Sequence, residues 1–449
     1  MSARMGSALA GLVIGGMMGL SLSKGPFTSV TAGSSTSPDR EGGEARPSMA
    51  EQFRAPYLTE AERLAELQKA QPDIAAALPL RFEKRFSNPC FRNSTRIRCL
   101  PAFYIGGAMQ CASGDFWRRL TVHAHVADEH DALSHWWTLH PRSISHGRPR
   151  DFAQYLDLFS SAPTIEALER DPLTLLGDAS PATFTFMMAE QLRLHYLYLD
   201  AFGRCHARCR SAECRAGCYE EANHATVSLS FNVPSLVSTT YGAQWRPKLI
   251  VLLREPSIRL WVAFWSYGQY PARYGHSSDG FAYYFGNQSA AYRRCVQTNQ
   301  RGRRKCALRF EAYGAAEAGV YYHCDQLIKG MYAVFLPEWI AALSQPNLLI
   351  VRTEDYLERP LKTLRRAIRH LGLRPPTADE ARRMGTLRSH DELRRVSHEY
   401  GMPPAHVLEQ VRSFYHPFNR ALASMLDNPA FLWPTRQASS IQPHSAETA

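Results

Sequence analysis

Short, continuous apolar runs alternate with helical patterns along much of the chain. Three of these runs are FYIGG at 103–107, KLIVLLR at 248–254 and NLLIVR at 347–352. Each is followed by a segment with helical spacing of its apolar residues. Strands buried on both faces have this continuous apolar character, whereas half-exposed strands alternate. The pattern therefore predicts a βα architecture with a central parallel sheet.

A helix is expected before the first of these strands. The segment TEAERLAELQKAQPDIAAAL begins at Thr59, a suitable helix cap, and acidic residues follow in the first turn. The residues between 23 and about 50 are poor in large apolar side chains and rich in Ser, Thr, Gly and Pro. This composition is typical of a flexible stem.

The N-terminus carries an uncharged apolar stretch. Arg4 is followed by MGSALAGLVIGGMMGLSL at 5–22, and the next charge is Lys24. This length is sufficient to span a bilayer. A cleaved signal peptide remains open as the alternative, but the length of the run and the lack of a clean cleavage pattern favour an uncleaved anchor. We therefore divide the chain into an anchor at 1–23, a stem at 24–55, a luminal domain at 56–434 and a disordered tail at 435–449.

The ten cysteines indicate an oxidising compartment. Cys90 lies close to Cys99, Cys295 lies close to Cys306, and four more cluster at 205–218. In that cluster CHARC and CRAGC place both cysteines of each motif on one helix face, which favours a helical hairpin closed by two disulfides. Zinc is the competing interpretation, although zinc motifs usually have shorter loops.

Composition narrows the class of protein only in part. The 449 residues, 45% hydrophobic and 11% aromatic, suit one large globular unit with extensions. The net charge of +11 would suit nucleic acid, an acidic glycan or a nucleotide, and a solvated basic surface is an equal alternative. Sequons at Asn93 and Asn287 agree with a luminal body but count for little alone. The anchor and the cysteine pairs place the body in the lumen and so disfavour nucleic acid. The tract RGRRK at 301–305 is expected to be an exposed basic loop.

Residues 103–117, FYIGGAMQCASGDFW, combine a strand, a small-residue loop and the start of a helix. Backbone amides of such a loop, presented at a helix N-terminus, can bind phosphate through fixed donors and the helix dipole. Ala112, Ser113 and Gly114 make the loop compact. The Walker pattern G-x-x-x-x-G-K-[ST] is not met, so a generic nucleoside triphosphatase is disfavoured.

A second phosphate-binding group is expected after the strand at 248–254. Arg254 lies at the carboxyl end of that strand, Pro256 suits the first position of a helix, and Arg259 falls on the first helical turn. Two guanidinium groups there would form a phosphate clamp. Because both sites lie at the carboxyl edge of one parallel sheet, the ligand is expected to carry phosphates at both ends of a nucleoside.

These motifs, in this order, resemble the Golgi carbohydrate sulfotransferases, most closely the branch of N-acetylgalactosamine 4-sulfate 6-O-sulfotransferase. The likeness runs from about 88 to 433 and includes RCLPAFYIGGAMQCASGDFWRRL (98–120), HWWT (135–138), GDASPATF (177–184), LLREPSIR (252–259), QLIKGMYAVFLPEWI (326–340), RTEDY (352–356) and FYHPFNRALASMLDNPAFLW (414–433). The resemblance implies an α/β, P-loop-like three-layer sandwich with a central parallel sheet. It also implies 3′-phosphoadenosine 5′-phosphosulfate as co-substrate.

The resemblance assigns binding roles to individual residues. The loop would hold the 5′-phosphosulfate through Gln110, Cys111, Ala112, Ser113, Gly114 and Asp115. Arg254 would hold the 3′-phosphate, with Arg259 in the same clamp. The clamp serine of the family falls at Val262 here, and Ser266 lies one helical turn further along the same face.

Two departures from the family pattern concern catalysis. Family members have K-C-G-T-T or K-S-G-T-T where this chain has QCASG, so Gln110 replaces the lysine that stabilises the leaving phosphate. Ala132 and Leu133 stand at the Lys and Glu positions of K-E-x-H, so the expected carboxylate base is absent. His135 is a candidate base, and a structural histidine beside two tryptophans is an equal alternative. Arg118 or Arg119 are candidate sources of positive charge.

Cys111 and Asp178 are expected to have structural roles. Sulfuryl transfer needs no covalent step, so Cys111 is interpreted as a packed loop residue. Asp178, in GDASP, is interpreted as a turn residue rather than a base, although it lies at a strand end where ligands bind.

Two functional hypotheses follow. The first is a single-pass type II Golgi membrane sulfotransferase, with a luminal catalytic domain, that transfers a sulfuryl group from 3′-phosphoadenosine 5′-phosphosulfate to a glycan hydroxyl; a sulfated glycosaminoglycan is a candidate acceptor. The second is a catalytically silent relative that binds nucleotide or acidic glycan as a lectin-like or scaffolding subunit. The substituted loop supports the second, and the intact Arg254, Arg259 and GDASP segment support the first. No metal is expected, and the acceptor sugar and oligomeric state stay open.

Overall fold

The computed structural model describes residues 59–433, apart from 79, 94–95, 129–132, 139–150, 187–200, 202, 212–213, 215–216, 219–220, 222–231, 299–301 and 309–324. These residues belong to one compact unit, Met49–Ala449. The predicted anchor, stem and tail lie outside the described residues, as does Ala132. In the part of the chain that is described, no helix has both the length and the apolar character needed to cross a bilayer.

A parallel sheet of four strands forms the centre of the fold. After the antiparallel pair β1 (Cys90–Asn93) and β2 (Arg96–Cys99), the chain contributes β3 (Phe103–Gly107), β4 (Gly177–Asp178), β5 (Lys248–Leu253) and β6 (Leu348–Arg352). The spatial order is β4-β3-β5-β6, with every adjacent pair parallel. β3 and β5 are buried over nearly their whole length, which accounts for their apolar runs. The predicted α/β class with a central parallel sheet is confirmed.

Helices surround this sheet. In chain order their bounds are α1 (Glu60–Ala70), α2 (Pro72–Ala77), α3 (Ser113–Leu120), α4 (Phe152–Asp157), α5 (Ala162–Arg170), α6 (Val233–Tyr241), α7 (Pro256–Ser266), α8 (Gln269–Tyr274), α9 (Ser278–Thr298), α10 (Gly302–Leu308), α11 (Tyr332–Leu343), α12 (Thr353–Glu358), α13 (Pro360–Leu371), α14 (Ala378–Thr386), α15 (Glu392–Tyr400) and α16 (Ala405–Met425). Short 3-10 turns occur at Gln345–Asn347 and Pro429–Leu432.

The predicted N-terminal helix is present in two pieces. The Thr59 side chain accepts a hydrogen bond from the Glu62 amide, and the Glu62 carboxylate accepts one from the Thr59 amide, which completes a capping box. The helix is interrupted at Gln71, because Pro72 has no amide hydrogen to continue it and instead begins α2.

Close packing holds the end of β3 in place. A Cβ atom added to Gly106 would lie 2.5 Å from Leu249 Cδ1, and one added to Gly107 would lie 2.8 Å from Phe184 Cβ. At Gly107 a side chain would push the segment after β4 outward, whereas at Gly106 the end of the Leu249 side chain would have to move. The small residues at the end of β3 therefore allow the two neighbouring elements to approach the strand from which the candidate loop departs.

The disulfide interpretation of the cysteine pairs is confirmed. One bond joins Cys90 to Cys99 and another joins Cys295 to Cys306. In the cluster at 205–218, the bonds are 205–218 and 209–214. These four sulfurs are consumed by disulfides, so the zinc alternative is not supported there.

The expectation of an exposed basic loop is wrong. The tract at 301–305 is not a loop in its described part, because α10 begins at Gly302 and Arg304 is buried in an ion pair with Glu338 of α11. The sequon at Asn287 lies inside α9, where Ser289 is buried and donates to the Gly286 carbonyl. The asparagine of this sequon, Asn287, is exposed on the helix.

Arg304→Met should lower the free energy of unfolding by about 3–5 kcal/mol, because it leaves the buried Glu338 carboxylate without a cation. Chemical denaturation measures this difference, and the neighbouring Arg303→Met is the matched control. Adding Glu338→Leu to Arg304→Met should recover most of the loss. Equal, small losses for Arg303→Met and Arg304→Met would contradict a buried ion pair.

Candidate functional site

The structure brings the two predicted phosphate-binding groups together at the carboxyl edge of the sheet. β3 leads into the loop at 108–112, and α3 begins at Ser113. β5 is the parallel neighbour of β3 and ends one residue before Arg254. Burial raises the pKa of the Cys111 thiol, and the charges of Arg254 and Arg259 oppose that shift, so both guanidinium groups lie near the loop. The loop and the two arginines therefore lie close together.

The loop presents the N-terminus of α3 without a side-chain cap. Gln110 and Ala112 have φ values of 66° and 60°, and Ala112 occupies the N-cap position. The amides of the first helical turn have no partners within the helix itself. Gly114 is exposed, with no atom within 4 Å of the position that a Cβ would take. This open, uncapped terminus is suited to an anion.

Two loop residues face inward. Cys111 is buried, its carbonyl accepts a hydrogen bond from Thr353 at 3.1 Å, and its role as a packed residue agrees with the sequence interpretation. Asp115 is also buried and accepts hydrogen bonds from Tyr356, Arg119 and the His390 amide. Although burial opposes ionisation, these bonds hold the pKa of Asp115 below its usual value. Asp115 thus fixes α3 in place rather than pointing toward a ligand.

Arg119 cannot also serve a ligand. Its Nε donates to Asp115 at 3.0 Å, and its terminal nitrogens donate to the carbonyls of Met384 and Leu387. Arg118, one residue earlier, is exposed on α3. The structure thus gives Arg119 a structural role.

Both clamp arginines are buried and already have protein partners. Arg254 is 2% exposed and ion-paired with Asp391, the N-cap of α15. Arg259 donates to the Gln326 side chain at 3.1 Å and to its carbonyl. In the described structure the Nε atoms of Arg254 and Arg259 are nevertheless buried without a hydrogen-bond partner. Such orphaned donors fit an additional anionic ligand.

The structure does not bring Ser266 to the clamp. Val262 is fully buried, and Ser266 is the last residue of α7. The helix has 11 residues, and a helix of that length is about 16 Å long. Arg254 precedes its first turn, so Ser266 lies near the opposite end, where it accepts a hydrogen bond from Arg395 at 3.5 Å. The helical spacing puts Ser266 on the same face as Val262, but it does not account for the distance of Ser266 from the end of β5.

His135 lies in a segment held by GDASP. Its amide donates to Ser180 Oγ at 2.8 Å, and its φ is 48°. The preceding Ser134 donates to Asp178 at 2.7 Å, and the following Trp136 is buried. The side chain of His135 is half-buried, whereas Leu133, at the family's Glu position, is 52% exposed.

Asp178 has a larger role than the sequence interpretation gave it. It is fully buried and accepts hydrogen bonds from Ser134, Tyr155 at 3.2 Å and Ser180 at 2.5 Å. The Tyr155 hydroxyl lies 3.3 Å from that of Tyr104 on β3. Burial raises the pKa of Asp178 to about 6, against the effect of these hydrogen bonds. Asp178 therefore links β3, β4 and the His135 segment.

Comparisons with known proteins agree with the motifs. No protein-family model matches the chain. Proteins named Carbohydrate sulfotransferase 15 from Rattus norvegicus, Mus musculus and Homo sapiens are each 25% identical to it over 358 residues. In sequence, this chain is therefore similar to proteins named as carbohydrate sulfotransferases. The matches cover 76% of this chain and 56% of each relative, so the chain spans little more than half the length of those sulfotransferases.

A solved structure is also similar. It is a sulfotransferase from Alicyclobacillus acidocaldarius, with a TM-score of 0.32 and 14% identity. The match covers 74% of this chain and 98% of that chain. The family resemblance predicted from the motifs is confirmed by the curated relatives.

The raised pKa of Asp178 predicts a pH-dependent stability. The folded-state pKa of about 6 exceeds the ordinary value, so the native state holds a proton that the unfolded state releases. Stability should fall as pH rises from about 4 to about 6, by about 3 kcal/mol in total, and then stay level. Asp178→Asn should lack this component. Denaturation of both proteins at several pH values measures it, and a pH-independent difference between them would contradict the assignment.

Proposed function

We propose that this protein transfers a sulfuryl group from 3′-phosphoadenosine 5′-phosphosulfate to a hydroxyl group of a glycan. The observation that carries the proposal is the convergence, at the carboxyl edge of one parallel sheet, of the uncapped loop at 109–114 and the buried pair Arg254 and Arg259. Ligands of open α/β sheets bind at this edge. The relationship to the carbohydrate sulfotransferases supports the same co-substrate.

The two ends of the nucleotide would be held by different groups. The loop from Gln110 to Gly114 would hold the 5′-phosphosulfate through its backbone amides, with Gln110 donating a side-chain hydrogen bond. The orphaned Nε atoms of Arg254 and Arg259 would bind the 3′-phosphate. Asp115 and Ser266, both included in the sequence prediction, are left out of this set because of their positions.

Transfer would proceed by breaking the bond between sulfur and the bridging phosphate oxygen while the acceptor oxygen bonds to sulfur. The acceptor hydroxyl must lose its proton, and His135 is the proposed base. The Asp178 network holds the backbone at that histidine through Ser134 and Ser180. Negative charge develops on the leaving phosphate, where hydrogen-bond donors are most effective.

The cellular setting belongs to the same proposal. Residues 1–23 would anchor a single-pass type II protein in the Golgi membrane, and 24–55 would form a stem. The disulfides are consistent with a catalytic body inside a secretory lumen. A sulfated glycosaminoglycan is a candidate acceptor.

A catalytically silent nucleotide-binding relative is the second candidate. The observation that favours it is the ion pair between Arg254 and Asp391, which already supplies the clamp with an anion. The neutral Gln110 and the exposed Leu133 point the same way, since neither provides the cation or the carboxylate of the family pattern.

The proposal is tested by titration calorimetry of the luminal fragment with 3′-phosphoadenosine 5′-phosphate, followed by transfer of labelled sulfate to a panel of glycans. Arg254→Ala should weaken nucleotide binding by about 1.5–3 kcal/mol, which is about 10- to 150-fold. The exposed Arg382→Ala on α14 is the control. Binding without transfer to any glycan would favour the silent relative, and no binding by the natural protein would contradict both candidates.

Asp391→Asn should tighten nucleotide binding by about 1 kcal/mol, because the carboxylate no longer competes with the 3′-phosphate for Arg254. Asparagine keeps the N-cap of α15, so the helix should remain intact. The same titration measures the effect. Weaker binding in a folded variant would instead show that Asp391 orients Arg254 for the ligand.

A further inference from the structure

A buried lysine lies beside the candidate loop. Lys329 is 2% exposed, and its Nζ atom lies 3.9 Å from Sδ of Met109, the residue before Gln110. It precedes α11, more than 200 positions away from the loop in sequence. No sequence motif used above assigned it a function.

Tyr267 connects this lysine to the loop. Its hydroxyl donates to Met109 Sδ at 3.5 Å. Burial raises the pKa of Tyr267, while the charge of Lys329 and a hydrogen bond with the Gln110 side chain oppose that shift. Met109, Gln110, Tyr267 and Lys329 therefore form one group of side chains, which we call the loop cluster.

Lys329 has a carboxylate beside it among the described residues. Its carboxylate partner is Asp325, at 3.3 Å. That carboxylate also accepts hydrogen bonds from Tyr270 and from Gln326, both at 2.7 Å. The Asp325 side chain is 20% exposed whereas that of Lys329 is 3% exposed, so the ammonium is the more deeply buried member of the pair.

The loop itself offers an anion no positive side chain. Its sequence at 109–114, MQCASG, contains no Lys, Arg or His. Arg119 is committed to Asp115, and Arg259, whose charge also acts on Tyr267, donates to Gln326. The loop cluster therefore brings to Gln110 a cation that the loop sequence lacks.

We propose that Lys329 binds the 5′-phosphosulfate end of the nucleotide and stabilises the charge that develops on its phosphate, in place of a lysine within the loop. This inference rests on the proposed function. Gln110 is neutral and can offer the phosphate only a hydrogen bond. Lys329 would supply the positive charge.

The test compares two nucleotides that differ only at the 5′ end, namely adenosine 3′,5′-bisphosphate and adenosine 3′-monophosphate. Lys329→Met should lower the affinity for the bisphosphate at least tenfold and leave the affinity for the monophosphate unchanged in titration calorimetry. Lys362→Met, an exposed substitution on α13, is the matched control. Lys329→Gln, which keeps a hydrogen-bond donor near Asp325, serves the same comparison if the methionine variant does not fold.

Two further variants separate ligand binding from a purely structural ion pair. Asp325→Asn removes the pair but keeps the lysine, so bisphosphate affinity should be retained or increased. Gln110→Lys in the Lys329→Met background should restore bisphosphate affinity, because it returns a cation to the same cluster. A structural role would make Asp325→Asn as harmful as Lys329→Met and would allow no rescue.

The outcomes distinguish this inference from the proposed function. If the natural protein binds the bisphosphate and folded Lys329 variants bind it equally well, the inference is wrong and the proposed function stands. Equal loss of both nucleotides in Lys329→Met also overturns the inference. If the natural protein binds neither nucleotide, the proposed function fails and the inference fails with it.

Discussion

The parallel pairing of β3 with β5 is the constraint on which the rest of the site depends. It sets the loop after β3 beside Arg254, which follows β5 directly. The two strands also pack closely, since a Cβ atom at Gly106 would lie 2.5 Å from the Leu249 side chain. Interior packing of this density transmits small changes in volume as displacements of whole elements. The positions of groups at the ends of these two strands are therefore fixed by the packing of the strands.

Three cations in and around the site have carboxylate partners inside the protein. Arg254 pairs with Asp391, Lys329 pairs with Asp325, and Arg119 pairs with Asp115. Buried cations require such partners, because removing an unpaired charge from water is costly. An anionic ligand must therefore add to these pairs or compete with them. The pair formed by Asp115 anchors α3 from within, whereas the other two lie where a nucleotide is proposed to bind.

The polar network around Asp178 has a different role, which is to hold the segment that contains His135. Asp178 accepts hydrogen bonds from residues of three separate segments, and Ser180 carries the connection to the backbone of His135. Fully satisfied buried networks favour one arrangement of the surrounding chain, since each alternative leaves a polar group without a partner. The position of the candidate base thus depends on a carboxyl group that need not touch the substrate.

Local patterns determined the strands at 103–107 and 248–253, the capping of α1 by Thr59, the pairing of neighbouring cysteines and the relationship to sulfotransferases, because each is encoded in residues close together in the chain. Tertiary structure decided the rest. The sequence predicts an exposed Arg304, but in the fold Arg304 is paired with Glu338. The sequence also predicts that Ser266 lies near the clamp, but the length of α7 separates them. Asp391 and Lys329 reach the site from distant segments. Their roles depend on contacts between segments that are far apart in sequence, and such contacts cannot be predicted from the spacing of residues along the chain.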